Sequence, residues 1–144
     1  MKILFMCVAN SARSQLAESL AKTLLPDAEI HSAGSHPTQL NSFAVKVMAE
    51  IGVDISLHYS KSFESLPLEF VDKLDFVITL CEEEACPVLR SNAKKLHWPF
   101  PDPASNEPLS DSELLNRFRK ARDRISIKIS EFKRELNNLT PKKF

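Results

Sequence analysis

Short apolar runs alternate with longer segments of helical periodicity along this chain. Continuous apolar runs over residues 2–8 and 75–80 are typical of strands that are buried on both faces. Shorter runs over residues 29–32 and 94–98 predict two further strands. The pattern therefore predicts four strands, each separated from the next by a polar or amphipathic segment.

In the segments between these strands, apolar residues recur every three or four positions, as in amphipathic helices. The first helix is predicted to end before Pro26. A second begins after the N-cap residue Asn41 and ends at Gly52, and a short third helix opens at Pro67. The apolar faces of the first two helices comprise Leu16, Leu20 and Leu24, and Ala44, Val47, Met48 and Ile51.

The last helix is predicted to be the longest. Ser110 and Glu113 form a capping box at its start. Its apolar face comprises Leu114, Phe118, Ala121, Ile125, Ile129, Phe132 and Leu136. Strands that alternate with helices predict an α/β fold, here a single domain over residues 1–144. We expect a small three-layer sandwich, in which a four-stranded parallel sheet is flanked by helices on both faces and binds ligands at the carboxyl ends of its strands.

Composition excludes several classes of function. The 19 Lys and Arg residues balance the 19 Asp and Glu residues, which argues against a nucleic-acid partner and against a basic membrane anchor. No apolar run approaches the roughly 20 residues of a membrane helix, and the first run is too short for a signal peptide. Three cysteines are an odd number and make a poor disulfide framework. We therefore expect a cytoplasmic protein whose thiols are catalytic, redox-active or buried.

The strongest candidate for chemistry is the sequence C-V-A-N-S-A-R-S at residues 7–14, between the first strand and the first helix. Such a loop can curl until its backbone N–H groups and the helix N-terminus converge on one anion. We expect Cys7 to be a thiolate nucleophile at the floor of this cradle, and Arg13 to bind two oxygens of a tetrahedral oxyanion. Ser14 is placed to hydrogen-bond the thiolate. The predicted substrate-binding residues are Val8, Ala9, Asn10, Ser11, Ala12, Arg13 and Ser14.

The C-x5-R-S motif at residues 7–14 resembles that of the low-molecular-weight protein tyrosine phosphatase superfamily. Asp102, followed by proline, stands at the position of the general acid of that family. Cys81 and Cys86, together with the sequence H-W-P-F at residues 97–100, look like the thioredoxin-coupled arsenate reductase branch. The resemblance extends over nearly the whole chain.

This resemblance implies a relay of three cysteines. Cys7 attacks arsenate while Arg13 and the loop amides stabilise its charge, and Asp102 protonates the leaving oxygen. Cys81 then attacks Cys7 and releases arsenite, and Cys86 attacks Cys81. Thioredoxin, as the external reductant, reduces the resulting disulfide. We expect no bound cofactor, no metal, no nucleic-acid or membrane partner, and a monomer.

The spacing of Cys81 and Cys86 adds a conformational prediction. Residues five apart in an intact helix are separated by about 7.5 Å along the axis and by about 140° around it. A disulfide needs Cα atoms within about 7 Å of each other. If this segment is helical when reduced, it has to unwind on oxidation.

Some reductases of this branch hold a potassium ion near the loop, and Asn10, Glu18 and Ser32 match three of its ligands by resemblance. Lys61 stands where the fourth ligand would be an aspartate. A lysine does not ligate a cation, but its ammonium group can replace one. We therefore predict that no potassium binds here and that Lys61 pairs with Glu18.

Two other hypotheses about the function remain open. A phosphatase would need only Cys7, Arg13 and Asp102, with water resolving a phosphocysteine, and would leave Cys81 and Cys86 as structural thiols. Ala-Ser follows the Asp-Pro pair where phosphotyrosine-specific relatives carry aromatic residues, which disfavours phosphotyrosine. A module that binds oxyanions without catalysis is the third reading.

Overall fold

The computed structural model describes residues 1–82, 89–104 and 107–139. Strands and helices alternate in the order β1 (Lys2–Cys7), α1 (Arg13–Leu24), β2 (Glu29–Gly34), α2 (Ser42–Ala49), a 3-10 turn (Phe63–Ser65), α3 (Leu68–Asp72), β3 (Phe76–Thr79), β4 (Lys94–His97) and α4 (Asp111–Leu139). The four strands pair in parallel in the order β2-β1-β3-β4. This topology confirms the predicted α/β class and its four-stranded parallel sheet.

Strand β1 explains why the sheet has to be covered on both sides. Ile3 and Phe5 point into the larger core, which α1, α2 and α4 complete. Leu4 and Met6 point to the opposite face, where they pack with Phe70 of α3 in a smaller core. A strand with no polar face is stable only when both faces are buried, so helices are required on each side.

Helix α4 contributes much of the larger core. Phe118, Ile125 and Ile129 are fully buried along its inner face. The Ser110 half of the predicted capping box is confirmed, because the Glu113 N–H donates to Ser110 Oγ at 3.2 Å, while Glu113 Oε1 accepts from the Ser110 hydroxyl, also at 3.2 Å. None of the helices in the described part of the chain is both long and apolar enough to cross a membrane.

The end of α2 differs from the sequence prediction. Ile51 was predicted on the apolar face, but it is 47% exposed. The helix ends at Ala49, and the N–H of Gly52 closes a turn on the Ala49 carbonyl at 3.0 Å with φ at 79°. This left-handed turn takes Ile51 out of the helical period, which places its side chain in solvent.

The carboxyl ends of β1, β3 and β4 meet at one edge of the sheet. The Leu80 N–H donates to the Met6 carbonyl at 3.0 Å, and the Trp98 N–H donates to the Thr79 carbonyl at 2.8 Å. The Phe100 N–H then donates to the Leu80 carbonyl at 3.1 Å. These bonds bring together the loops that carry Cys7, Cys81 and Asp102 in the sequence.

The inner face of α4 allows a matched test of the core. We expect Ile125→Ala to lower the free energy of unfolding by about 2–5 kcal/mol, because it leaves a cavity among fully buried side chains. Ile127→Ala is the control, since Ile127 lies on the same helix and is 61% exposed. Its effect should stay within about 0.5 kcal/mol. Urea denaturation of both variants measures the difference, and equal losses would contradict the assignment of the inner face.

Candidate functional site

The backbone carbonyls of the loop after Cys7 all face away from its centre. Each of the four accepts a hydrogen bond from a donor outside the loop. The carbonyls of Val8 and Ala9 accept from the N–H groups of His36 and Thr38, at 2.8 and 3.1 Å. The Asn10 carbonyl accepts from Ser60 Oγ at 2.7 Å, and the Ser11 carbonyl accepts from the Asn41 N–H at 2.9 Å. In a trans peptide the N–H points opposite to the carbonyl of the same unit. The N–H groups of residues 9–12 are therefore directed inwards.

Helix α1 adds its N-terminus to this ring of amides. Ala12 occupies the N-cap position and has no side-chain oxygen to accept from the first helical N–H groups. Those groups and the positive end of the helix dipole are thus available to an anion. A cavity of about 200 Å³ opens over the ring and is lined by Cys7, Val8, Ala9, Ser11, Ala12, Arg13 and Asp102. Of the other predicted substrate-binding residues, Asn10 and Ser14 are completely buried behind it.

Cys7 is a free, buried cysteine at the floor of this cavity. Its Sγ accepts the N–H of Asn10 at 3.3 Å and lies 2.9 Å from Ser14 Oγ. Ser14 Oγ accepts from Asn10 Nδ2 at 2.8 Å, which leaves its own hydroxyl hydrogen available to the sulfur. The predicted contact between Ser14 and Cys7 is therefore present, and its role in stabilising a thiolate stays a prediction.

Asn10 holds the loop in shape. Its φ of 50° is left-handed, a region that asparagine tolerates better than most residues. Its Nδ2 donates to Ser14 Oγ and to Ser32 Oγ, while its Oδ1 accepts from Gln15 Nε2 and from the Lys61 N–H, all at 2.8–3.0 Å. Four hydrogen bonds thus fix a side chain that touches the nucleophile only through Ser14.

Arg13 and Asp102 form the wall and the mouth of the cavity. The Arg13 guanidinium is almost fully buried and donates from Nη1 to the Phe100 carbonyl at 2.9 Å. Its Nη2 lies 3.9 Å from Asp102 Oδ2. The Asp102 side chain is 47% exposed, and Oδ1 accepts the Ala104 N–H. A carboxyl group at the mouth can reach an oxygen of an anion that Arg13 holds below it.

Cys81 follows β3 and is fully buried. Unlike Cys7, it is disulfide-bonded. It lies at the same edge of the sheet as Cys7, because the N–H of the preceding Leu80 bonds to β1. Cys86 lies outside the described residues, as does the segment predicted to unwind on oxidation.

A buried carboxylate lies behind the loop. Glu18 accepts from Ser32 Oγ at 2.9 Å, and Lys61 Nζ lies 3.4 Å from its Oε1, which confirms the predicted ion pair. Lys22 Nζ and His58 Nδ1 lie 3.1 and 3.5 Å from its Oε2. Burial alone would raise the pKa of Glu18, but Lys61, Lys22 and the Ser32 hydroxyl together hold that pKa below its usual value. Since the Lys61 ammonium already supplies positive charge here, the cluster does not fit a potassium ion, and we retain the prediction that none binds.

Gly34, at the end of β2, is a site residue that the sequence analysis missed. A Cβ added there would lie 2.4 Å from the Val8 carbonyl oxygen and 2.9 Å from the Asn10 nitrogen. The backbone of the loop therefore packs directly on this residue. The sequence does carry a signal for this role, because Gly34 is one of only two glycines and ends β2, the strand next to β1.

The two glycines make a matched pair for testing the loop. We expect Gly34→Ala to weaken the binding of inorganic phosphate by at least about tenfold, because the loop backbone has to shift to admit the methyl group. Gly52→Ala, at a φ of 79° with open space around it, should cost about 1 kcal/mol of stability and leave phosphate binding intact. Calorimetric titration with phosphate distinguishes them, and unchanged binding in Gly34→Ala would refute the packing argument.

Lys61 and Lys22 both contact Glu18, but their side chains are 12% and 48% exposed. We expect Lys61→Met to lower the free energy of unfolding at pH 7 by about 1–3 kcal/mol, because a buried carboxylate loses its buried partner. Lys22→Met should cost about 0.5 kcal/mol or less.

The sign of the pH dependence follows from the lowered pKa of Glu18. The ionised Glu18 stabilises the fold above pH 4.5, which is the ordinary pKa of a glutamate side chain. This contribution is lost as the pH falls through the lower pKa that Glu18 has in the folded protein. The deficit of Lys61→Met should therefore shrink when denaturation is repeated at decreasing pH below 4.5. A deficit that does not change with pH would show that Lys61 acts through packing alone.

Residues 2–140 match the low molecular weight phosphotyrosine protein phosphatase family. An arsenate reductase of Halalkalibacterium halodurans is 41% identical over 133 residues, which cover 90% of this chain and 93% of that protein. The solved structure of an arsenate reductase in the phosphate binding state is 30% identical with a TM-score of 0.71, covering 92% of this chain and 96% of the other.

A thioredoxin-dependent arsenate reductase of Corynebacterium glutamicum is also similar, with 25% identity and a TM-score of 0.70. That match covers 96% of this chain and 62% of the other. The fold, the oxyanion cradle and the family match over nearly the whole length lead to the same assignment. The chain belongs to the low molecular weight phosphotyrosine protein phosphatase family.

Proposed function

We propose that this protein is an enzyme that reduces arsenate to arsenite, with electrons supplied by thioredoxin through a relay of three cysteines. The observation that carries the proposal is the position of Cys7 Sγ on the floor of a ring of inward-facing amides, beside Arg13 and Asp102. This arrangement suits a tetrahedral oxyanion. The similar proteins named arsenate reductase support arsenate as that oxyanion.

In the first step the Cys7 thiolate attacks arsenic. A sulfur–arsenic bond forms, and one oxygen leaves as water after Asp102 delivers a proton from the mouth of the cavity. Arg13 and the loop amides hold the remaining oxygens, whose negative charge they stabilise in the transition state. Ser14 Oγ, 2.9 Å from the sulfur of Cys7, orients the nucleophile for the attack.

In the second step the Cys81 thiolate attacks the sulfur of Cys7. The sulfur–arsenic bond breaks, its electron pair stays on arsenic, and arsenite leaves as a two-electron reduced product. Cys86 then attacks Cys81, which releases the Cys7 thiolate and leaves a Cys81–Cys86 disulfide. A thioredoxin dithiol reduces this disulfide and restores the enzyme.

Two features favour a reductase over a phosphatase. Cys81 is buried at the same edge of the sheet as Cys7, which suits a second thiol that attacks Cys7. Among the described residues, those that line the cavity at Cys7 include no aromatic side chain to clamp a phosphotyrosine ring. A phosphatase would need neither Cys81 nor its oxidation.

The cysteines give the decisive test. Arsenate-dependent NADPH oxidation is measured with thioredoxin and thioredoxin reductase, and hydrolysis of para-nitrophenyl phosphate is measured in parallel. We expect Cys81→Ser and Cys86→Ser each to abolish sustained arsenate reduction, since the first cannot form the Cys7–Cys81 disulfide and the second cannot resolve it to regenerate the Cys7 thiolate. Both variants should keep aryl phosphate hydrolysis, which needs only Cys7, Arg13 and Asp102.

Cys7→Ser is the control that should remove both activities. If arsenate is inert in the wild type and aryl phosphate is hydrolysed regardless of Cys81 and Cys86, the protein is a phosphatase with two structural thiols. If phosphate binds but neither substrate turns over, the protein is an oxyanion-binding module.

A further inference from the structure

A second cavity adjoins the mouth of the first. It has a volume of about 120 Å³, and its lining combines the loop around Asp102 with one face of α4. The apolar part of the lining comprises Phe100, Pro101, Pro103 and Ala121, and the charged part comprises Asp102, Arg117, Lys120 and Arg124. Three cationic side chains thus surround a shallow depression beside the proposed general acid.

Arg117, Lys120 and Arg124, which we call the basic rim, follow one another at helical spacing on one face of α4. All three are exposed, and no carboxylate of the described residues lies within 4 Å of their charged groups. The arginines between them behave differently, because Arg119 and Arg122 both pair with Glu50. The positive charge of the basic rim is therefore directed at solvent.

Asp102 connects the basic rim to the cradle. It lines both cavities, and its own backbone carbonyl lies 3.5 Å from Arg117 Nη2. Its carboxylate faces the other way, towards Arg13 at 3.9 Å. An anion that leaves the basic rim is therefore at the mouth of the Cys7 cavity, because Asp102 alone separates the two cavities.

We propose that the basic rim collects the inorganic oxyanion substrate and steers it into the cradle. The inference rests on the proposed function for the identity of the anion. The whole chain has a formal net charge of zero, so its overall charge supplies no attraction, and the basic rim adds a local positive region outside the cradle. A cluster of like charges beside a site raises the local concentration of counter-ions and the rate of association.

The geometry favours a small anion over an acidic protein surface as the occupant. The depression holds about 120 Å³ and shares Asp102 as a wall with the cradle, so an ion held there lies next to the mouth of the cradle. A reducing protein, by contrast, has to reach the disulfide of Cys81 and would gain nothing from the shared wall. Docking of such a protein on the basic rim is one outcome that the test distinguishes.

The test compares an anionic with a neutral reagent at the same sulfur. Alkylation rates of Cys7 by iodoacetate and by iodoacetamide are measured on the full chain, by mass spectrometry of the peptide that contains Cys7. The ratio of the two rates reports the potential at the cavity mouth, because changes in the nucleophilicity of Cys7 affect both reagents. We expect R117Q/K120Q/R124Q to lower this ratio about threefold to tenfold at low ionic strength.

Salt and a matched charge change provide the controls. The difference from wild type should vanish near 1 M salt, where the Debye length is about 3 Å. Lys73, Lys133 and Arg134 are exposed cations at the opposite edge of the sheet. K73Q/K133Q/R134Q makes the same change in net charge and should leave the ratio at the wild-type value. An equal fall in both triple variants, or none in R117Q/K120Q/R124Q, overturns the proposal.

Steady-state kinetics distinguishes this proposal from docking of the reductant and from a failure of the proposed function. The kcat/KM for arsenate should fall in R117Q/K120Q/R124Q with the same salt dependence as the alkylation ratio. If only the KM for thioredoxin rises and the alkylation ratio is unchanged, the basic rim docks the reductant and the proposal fails. If wild type does not reduce arsenate yet the alkylation ratio responds as expected, the proposed function fails while the collection of anions at this surface stands.

Discussion

The orientation of four consecutive peptide groups after Cys7 is the constraint on which the functional site depends. Their carbonyls are held from outside by His36, Thr38, Asn41 and Ser60, so their N–H groups converge on the space above the sulfur. Outward carbonyls and inward amides make an anion site in which Arg13 is the one cationic side chain among the described lining residues. The same orientation needs Gly34, because any larger residue would collide with the loop backbone.

A hydrogen-bond chain links the nucleophile to a charge cluster on the far side of the loop. It runs from Cys7 through Ser14, Asn10 and Ser32 to the carboxylate of Glu18. Because each member is buried, a change at one end alters the partners available at the other. Lys61 belongs to this chain twice, since its backbone N–H holds Asn10 and its ammonium group neutralises Glu18.

Helix α4 serves both the core and the surface around the site. Its inner face buries Phe118, Ile125 and Ile129 against the sheet, and this packing determines where its outer residues lie. Ion pairs with Glu50 connect it to α2. The face that carries Arg117 is thereby presented beside Asp102, at the mouth of the cavity.

The sequence by itself determined the four strands, the helices between them, the capping box at Ser110 and the cysteine loop, because periodicity and caps are local properties of the chain. Through the resemblance it also predicted Asp102 and the pairing of Lys61 with Glu18. Only the tertiary structure decided the roles of Gly34 and Gln15, the exposure of Ile51 and the position of the basic rim. These features depend on which backbone atoms of distant segments meet, and hydrophobic periodicity carries no information about such contacts.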